Sequence, residues 1–347
     1  MKANGLNEAN ILTRGGKLLD QRLPAGWRQK LSPIRRPRGA DADLRIVSPD
    51  GVEALLPVEV KGRVFPRDVP DLKRRVEGPD GRPGLVMTEF LTPSAKRRLV
   101  EEKLNYLDLT GNVRLVLSRP GLFIETDGAT TDPNPIEKGG RSLRGAKAGR
   151  VVRALCDFAP PIAVSDLAIK AGVDISYASR LLDWLDREGL VTRKSRGPVE
   201  AVDRARMIRR WADDYSVLKS NDARSFLDPR GVSNLLRRLT TRRRRYAVTG
   251  SLAANRLAPI APARLAMVYV DDPDDAAGEL NLTATETGAN VMLLTPFDEI
   301  AFERTRIDEG VTYVAPSQAA VDLLTSPGRS PAEGEAVLEW MARNPPS

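Results

Sequence analysis

Residues 163–194 read AVSDLAIKAGVDISYASRLLDWLDREGLVTRK, and this stretch decides the fold reading of the second half of the chain. Leu167, Ala168, Ala171, Val173, Ala178, Leu181, Leu182 and Leu185 recur at helical spacing on either side of Gly172. That pattern predicts two short helices packed across a tight turn, a helix-turn-helix. Gly189 stands where a helix-terminating glycine belongs. Beyond it, Leu190 to Lys194, a Ser195-Arg196-Gly197-Pro198 tip and Val199 to Val202 predict strand, turn and strand, a basic β-wing.

In such an arrangement the second helix enters a DNA major groove. Ser176, Tyr177, Ser179 and Arg180, with Asp183 beside them, form its polar face and are expected to reach base edges and phosphates. Arg193, Lys194 and Arg196 are expected to hold the neighbouring backbone. The stretch resembles the winged helix-turn-helix of bacterial transcription regulators, some of which use the module for protein contacts alone.

Just upstream, Lys138, Arg141, Arg144, Lys147, Arg150 and Arg153 recur every three residues with no acid after Glu137. A solvated amphipathic face would mix signs, so this single-sign stripe reads as phosphate-facing, with Arg144, Lys147 and Arg150 as DNA contacts. The 347-residue chain carries a formal net charge of +8, which favours a polyanionic partner.

Other classes are excluded by composition. The chain has no histidine, which removes Ser-His-Asp hydrolases, zinc proteases and histidine-based metal nucleases. Its one cysteine, Cys156, reads as core, and no disulfide can form within the chain. No apolar run reaches signal-peptide or membrane-spanning character, so a cytoplasmic protein without membrane association is expected.

The first 126 residues follow a different pattern. Residues 7–30 read as a helix, interrupted around Gly15-Gly16 and losing regularity near Pro24 and Gly26. Asp43 to Val47 and Leu55 to Lys61 read as strands joined by Ser48-Pro49-Asp50-Gly51 turn chemistry. Alternation sets Val58 and Val60 on one side and Glu59 and Lys61 on the other, with Asp43 able to approach the polar side. Such a trio can hold a divalent cation between Asp43, Glu59 and the Val60 carbonyl, while Lys61 positions and helps deprotonate an attacking water. A helix at 67–77, a strand at 84–88 and a helix at 92–104 complete an α-β-β-β-α-β order.

Asp43, fifteen residues, then Glu59-Val60-Lys61 in that order resembles the PD-(D/E)XK restriction-endonuclease-like superfamily. The resemblance implies Asp43 and Glu59 as Mg²⁺ ligands and Lys61 as the catalytic lysine; Ala42 departs from the proline of the family pattern. Families of this fold also keep the scaffold for DNA binding without catalysis. Downstream, Tyr106-Leu107-Asp108-Leu109-Thr110-Gly111-Asn112 is similar to a string in bacterial nuclease-like and abortive-infection proteins, or is a β-turn capped by Asp108.

Residues 127–140 are dense in turn formers and read as a linker. After the wing, helices are expected at 203–218 and 232–239. Arg242 to Arg245 then form a charge run that needs an anion or acidic surface to neutralise it. From Tyr246 a strand, a helix at 252–257, strands at 265–270, 291–294 and 312–314, and a closing helix at 316–324 are expected. Gly250-Ser251 and Asp271-Asp272 faintly suggest nucleotidyl transfer, but adjacent acids point to opposite faces of a strand. Val248 to Ala254 and Ser317 to Leu324 through Gly328-Arg329 resemble the C-terminal domain of the AbiEi family, over residues 145 to about 340. That resemblance implies a winged-helix antitoxin of a type IV toxin-antitoxin locus, which represses its own promoter and meets a cognate toxin.

The expected whole is an α/β multidomain protein: a restriction-endonuclease-like domain (1–126), a linker (127–140), a central winged helix-turn-helix (141–203) and an AbiEi-like α/β domain (204–347). Double-stranded DNA, a toxin and a second copy of the chain are its expected partners. A Mg²⁺-dependent endonuclease targeted by the winged helix is the competing expectation.

Overall fold

The computed structural model describes residues 6–34, 39–77, 83–135, 142–194 and 197–346. They form a mixed α/β protein with two seven-stranded sheets and one two-stranded hairpin. Two compact units divide the chain, the first holding residues 1–140 and 186–189 and the second the remainder.

In the first unit, α1 (Glu8–Arg22) leads into β1 (Arg28–Pro33), β2 (Ala42–Val47) and β3 (Glu53–Lys61). α2 (Val69–Val76), β4 (Leu85–Thr88), α3 (Pro93–Glu101), β5 (Asn105–Asp108), β6 (Val113–Leu117) and β7 (Leu122–Thr126) follow. The strands lie side by side in chain order, with β3, β4 and β5 parallel and the other neighbours antiparallel. Ile11 and Leu19 of α1 pack with Leu44, Leu56 and Met87 against one face. Leu72 and Val76 of α2 and Leu99 of α3 pack with Val86 and Tyr106 against the other.

Two expectations change here. The helix runs unbroken through Gly15-Gly16, both buried. It stops at Arg22, and residues 28–30, expected to be helical, belong to strand β1. Pro24 and Gly26, the latter with φ of +84°, release the chain into an extended path that β2 then captures by ladder hydrogen bonds.

The second unit opens with α4 (Ala146–Asp157), α5 (Val164–Ala171), α6 (Ile175–Arg187) and the hairpin β8 (Val191–Arg193) and β9 (Val199–Val202). α7 (Arg204–Ala212), α8 (Val217–Ser220), β10 (Asp222–Leu227), α9 (Val232–Leu239), β11 (Tyr246–Thr249), α10 (Gly250–Asn255) and β12 (Ala266–Val270) come next. The unit closes with α11 (Pro273–Glu279), β13 (Thr283–Ala284), β14 (Val291–Thr295), β15 (Arg306–Asp308), β16 (Val311–Tyr313), α12 (Pro316–Leu324) and α13 (Ser330–Arg343). Its sheet runs β13-β10-β14-β12-β11-β16-β15.

One continuous core joins the helical part to this sheet: Val151 and Leu155 of α4, Leu182 of α6, Trp211 of α7, Val268 of β12 and Leu323 of α12 belong to one buried cluster. Cys156 is buried in that core, and the apolar surroundings push its thiol pKa up. No helix among the described residues is long and apolar enough to cross a membrane.

Candidate functional site

The turn between α5 and α6 is built on Gly172, which adopts φ of +57° and ends α5 in a left-handed cap. The Val173 amide donates to the Ala168 carbonyl at 3.0 Å, closing the turn. α6 then buries Ala178, Leu181, Leu182 and Leu185. Ser176 and Arg180 are exposed on its outer side, while Tyr177 and Ser179 are half-buried, Tyr177 packing against the core.

In the hairpin the predicted cations separate. The Lys194 side chain is 87% exposed, its ammonium 3.4 Å from Glu200. Arg193, expected to grip DNA backbone, has a side chain only 3% exposed, 3.6 Å from Asp183. The register irregularity between Thr192 and Arg193 accompanies this inward turn, and Arg193 is a buried cation, not an exposed one. Arg196 lies outside the described residues, as do Lys138 and Arg141.

The basic stripe divides in the same way. Arg144 and Lys147 are exposed, with Lys147 3.5 Å from a largely solvated Asp174. Arg150 instead donates from Nε and Nη2 to Asp298, both at 2.9 Å. Arg153 is fully buried, donating to Asp157 (3.0 Å), the Ile300 carbonyl (3.0 Å), Gln318 (2.8 Å) and the Glu303 carbonyl (2.9 Å). Three-residue spacing drifts about 60° per step around an α-helix, so six residues carry Arg153 roughly 120° from Lys147 and into the core. Arg153 therefore serves the protein interior, not a phosphate-facing stripe, while Arg150, its side chain 35% exposed, is engaged by Asp298.

A second cluster forms in the first unit at the carboxyl end of β3. Glu59 is fully buried, its Oε1 accepting from Lys61 (2.9 Å) and from Arg75 on α2 (3.0 Å), while its Oε2 has no hydrogen-bond partner among the described residues. Lys61 also lies 3.9 Å from Asp41 and 3.7 Å from Glu8 at the start of α1. Asp41 accepts from the Val60 amide at 2.8 Å. The register sets Asp43 opposite Pro57, one side-chain repeat back along the strand, so Asp41 and not Asp43 is the acid beside Lys61. The polar face is the expected one and the position lies two residues away, because same-face strand residues repeat every second position. Arg75 and Glu8 carried no signal of their own, since only folding brings α1 and α2 to this strand end.

Burial alone would favour neutral Lys61, but its bond to Glu59 and the charges of Asp41 and Glu8 outweigh it and hold the ammonium above the ordinary lysine value. Among the described residues no group of three or more acid or cysteine side chains is arranged to hold a metal ion. The Lys61 ammonium lies within reach of both carboxylates, closer to Glu59 (2.9 Å) than to Asp41 (3.9 Å). What the donor set offers Mg²⁺ is oxygen chemistry of the correct hardness, with the unpartnered Glu59 Oε2 as its free donor.

The remaining singled-out residues serve the fold. Asp108 accepts from the Leu91, Thr110 and Asn112 amides, the Thr110 hydroxyl and the Asn112 side chain, which makes it the cap of a buried turn. Arg242, Arg244 and Arg245 are neutralised within their own unit by Glu279, by Asp275 and Glu279, and by Asp271 and Glu299 respectively. Asp272 caps α11. Ser251 donates to Glu333, and Thr249 to the buried Asp322.

Asp322 is a buried acid whose partners come from four separate places in the chain. Its oxygens accept from Tyr215 (2.8 Å), Gln318 (2.9 Å), Thr249 (2.6 Å) and Tyr269 (3.0 Å), and burial pushes its pKa up to about 6. A lone acid in an apolar helix, Ala-Ala-Val-Asp-Leu-Leu, was the available signal.

No protein-family model, no curated protein and no solved structure matches this chain.

Proposed function

We propose that the second unit binds duplex DNA through the outer side of α6, and that the protein is a sequence-specific regulator of the winged-helix, AbiEi-like kind. The carrying observation is the exposed Ser176 and Arg180 on a helix fixed by the Gly172 turn, in the same unit as exposed Arg144, Lys147 and Lys194. Ser176, Tyr177, Ser179 and Arg180 would read bases, and Arg144, Lys147 and Lys194 would hold phosphates. Promoter DNA from the native locus, titrated by fluorescence anisotropy at several salt concentrations, tests this. Arg180→Ala should weaken the preferred site by about 1–3 kcal/mol and narrow its margin over random sequence. Lys147→Ala should weaken all sequences alike and lower the salt slope by about one. Equal affinity of wild type and Arg180→Ala for both DNAs would remove the reading.

A toxin partner or a second copy of the chain belongs to the same proposal, and co-purification from the intact operon with mass measurement tests for them.

A second reading rests on the unpartnered Glu59 Oε2 beside Lys61 and Asp41: Mg²⁺-dependent cleavage of DNA within a restriction-endonuclease-like first unit. Here Asp41 and Glu59 would hold the cation and Lys61 would stabilise developing phosphate charge. Plasmid incubated with Mg²⁺ should be nicked by wild type and left intact by Lys61→Ala and Asp41→Ala. Intact plasmid with wild type removes the enzyme.

A further inference from the structure

The central strands of the first sheet are short. β4 and β5 have four residues each, whereas β3 has nine and starts five positions ahead of the Val58–Leu85 pairing. This leaves a notch in the sheet at the end opposite Lys61, beside the tail of β6. Asn105 spans its base, its side chain accepting from the Val116 amide at 2.8 Å and donating to the Pro83 carbonyl at 3.3 Å. The notch is a cavity of about 350 Å³, in the size range of small-ligand sites, with Leu55, Leu56, Val100, Leu104, Val116 and Leu117 in its walls. Leu55 and Val100 are 49% and 39% exposed, so apolar surface stands open to solvent there.

Three cations, Lys103, Arg114 and Arg119, line this cavity, and among the described residues no acid does. Arg114 is paired with Glu125 at 3.1 Å. Lys103 and Arg119 are exposed and have no acid partner among the described residues. Lys103 also adopts φ of +59°, a left-handed conformation that L side chains disfavour and that glycine would take without cost. The cap it forms after α3, with the Leu104 amide on the Leu99 carbonyl at 2.9 Å, needs no lysine. A strained backbone that presents a cation at the mouth of an apolar cavity points to a ligand.

We propose that this notch binds a small organic anion with an apolar body, a carboxylate whose chain or ring lies against Leu55, Val100 and Leu117 and whose head meets Lys103 and Arg119. The site is independent of the DNA reading and lies away from the Glu59 cluster on the same sheet.

The test uses the full chain without DNA. Anilinonaphthalene sulfonate, a fluorescent apolar anion, reports on the cavity, and decanoate, decanol and decyltrimethylammonium compete for it. Decanoate should displace the dye at least about tenfold more effectively than the other two, the factor expected of charge-assisted contacts in a partly enclosed site. The double variant Lys103→Gly, Arg119→Ser should keep or raise the thermal midpoint, because the backbone strain is relieved, while losing that preference. Val100→Asp, which places an acid in the wall, should lose decanoate binding with the fold intact. Equal competition by the three amphiphiles, no displacement, or unchanged decanoate affinity in both variants would overturn the proposal.

Discussion

Arg153 and Lys147 are six residues apart and chemically alike, yet they belong to different parts of the protein. Burying a guanidinium is tolerated only where its nitrogens are hydrogen-bonded, and all three nitrogens of Arg153 are, to one carboxylate, one amide and two carbonyls. Removing it would leave the Ile300 and Glu303 carbonyls and the Gln318 oxygen without this donor, while Asp157 would keep Arg304 and Ser317. Arg153→Ala is therefore expected to destabilise the second unit by about 3–5 kcal/mol in urea unfolding, whereas Lys147→Ala should cost under about 0.5 kcal/mol. Asp322 sets a second test. Its folded pKa of about 6 lies above the ordinary 3.8, so its contribution to stability is fully present below pH 3.8 and is lost as pH rises through 6. A difference of that size between the folded and unfolded chain corresponds to about 3 kcal/mol. Unfolding free energies measured from pH 4 to 7 should show this fall, and Asp322→Asn should flatten it.

At the level of elements, local pattern and packing divide the work. The α5–α6 turn is a local device: a single glycine in the left-handed region and two backbone bonds. Gly172→Ala should cost about 1 kcal/mol and leave the fold intact. The entry to β4 is set by packing. A Cβ on Gly84 would lie 2.4 Å from the Val76 carbonyl oxygen and 2.6 Å from that of Pro57, both backbone atoms. Gly84→Ala should push α2 off the sheet and cost about 3 kcal/mol or more, read as a lowered urea midpoint. Because α2 carries Arg75 to Glu59, the same variant should also disturb the cluster at the end of β3.

Across the whole molecule, charge is organised by unit more than by sequence run. The four consecutive arginines from Arg242 looked like an unmet demand for a polyanion, yet acids of α11 and its flanks answer most of it. Helices α4 to α7 and the second sheet share one core. Residues 142–347 alone should therefore unfold in one cooperative transition, and, if α6 carries DNA binding, should keep the salt dependence of the full chain. A fragment that melts in two steps would show that the shared core does not couple the two parts.

The sequence by itself determined what depends on period and turn chemistry. Helix spacing around Gly172, the Asp50-Gly51 hairpin and alternation along β3 are all local, and α9 at Val232–Leu239 and α12 at Pro316–Leu324 follow the expected spans. In the candidate sites it determined the face of α6 and the Glu59-Lys61 pair. Only the tertiary structure decided which acid joins that pair, which arginines turn inward, and where Asp322 finds four donors. Those outcomes rest on segments brought together from far along the chain, Arg153 with residues 300 and 318 or Glu59 with Arg75, and the periodicity of one segment carries no record of what another will place beside it.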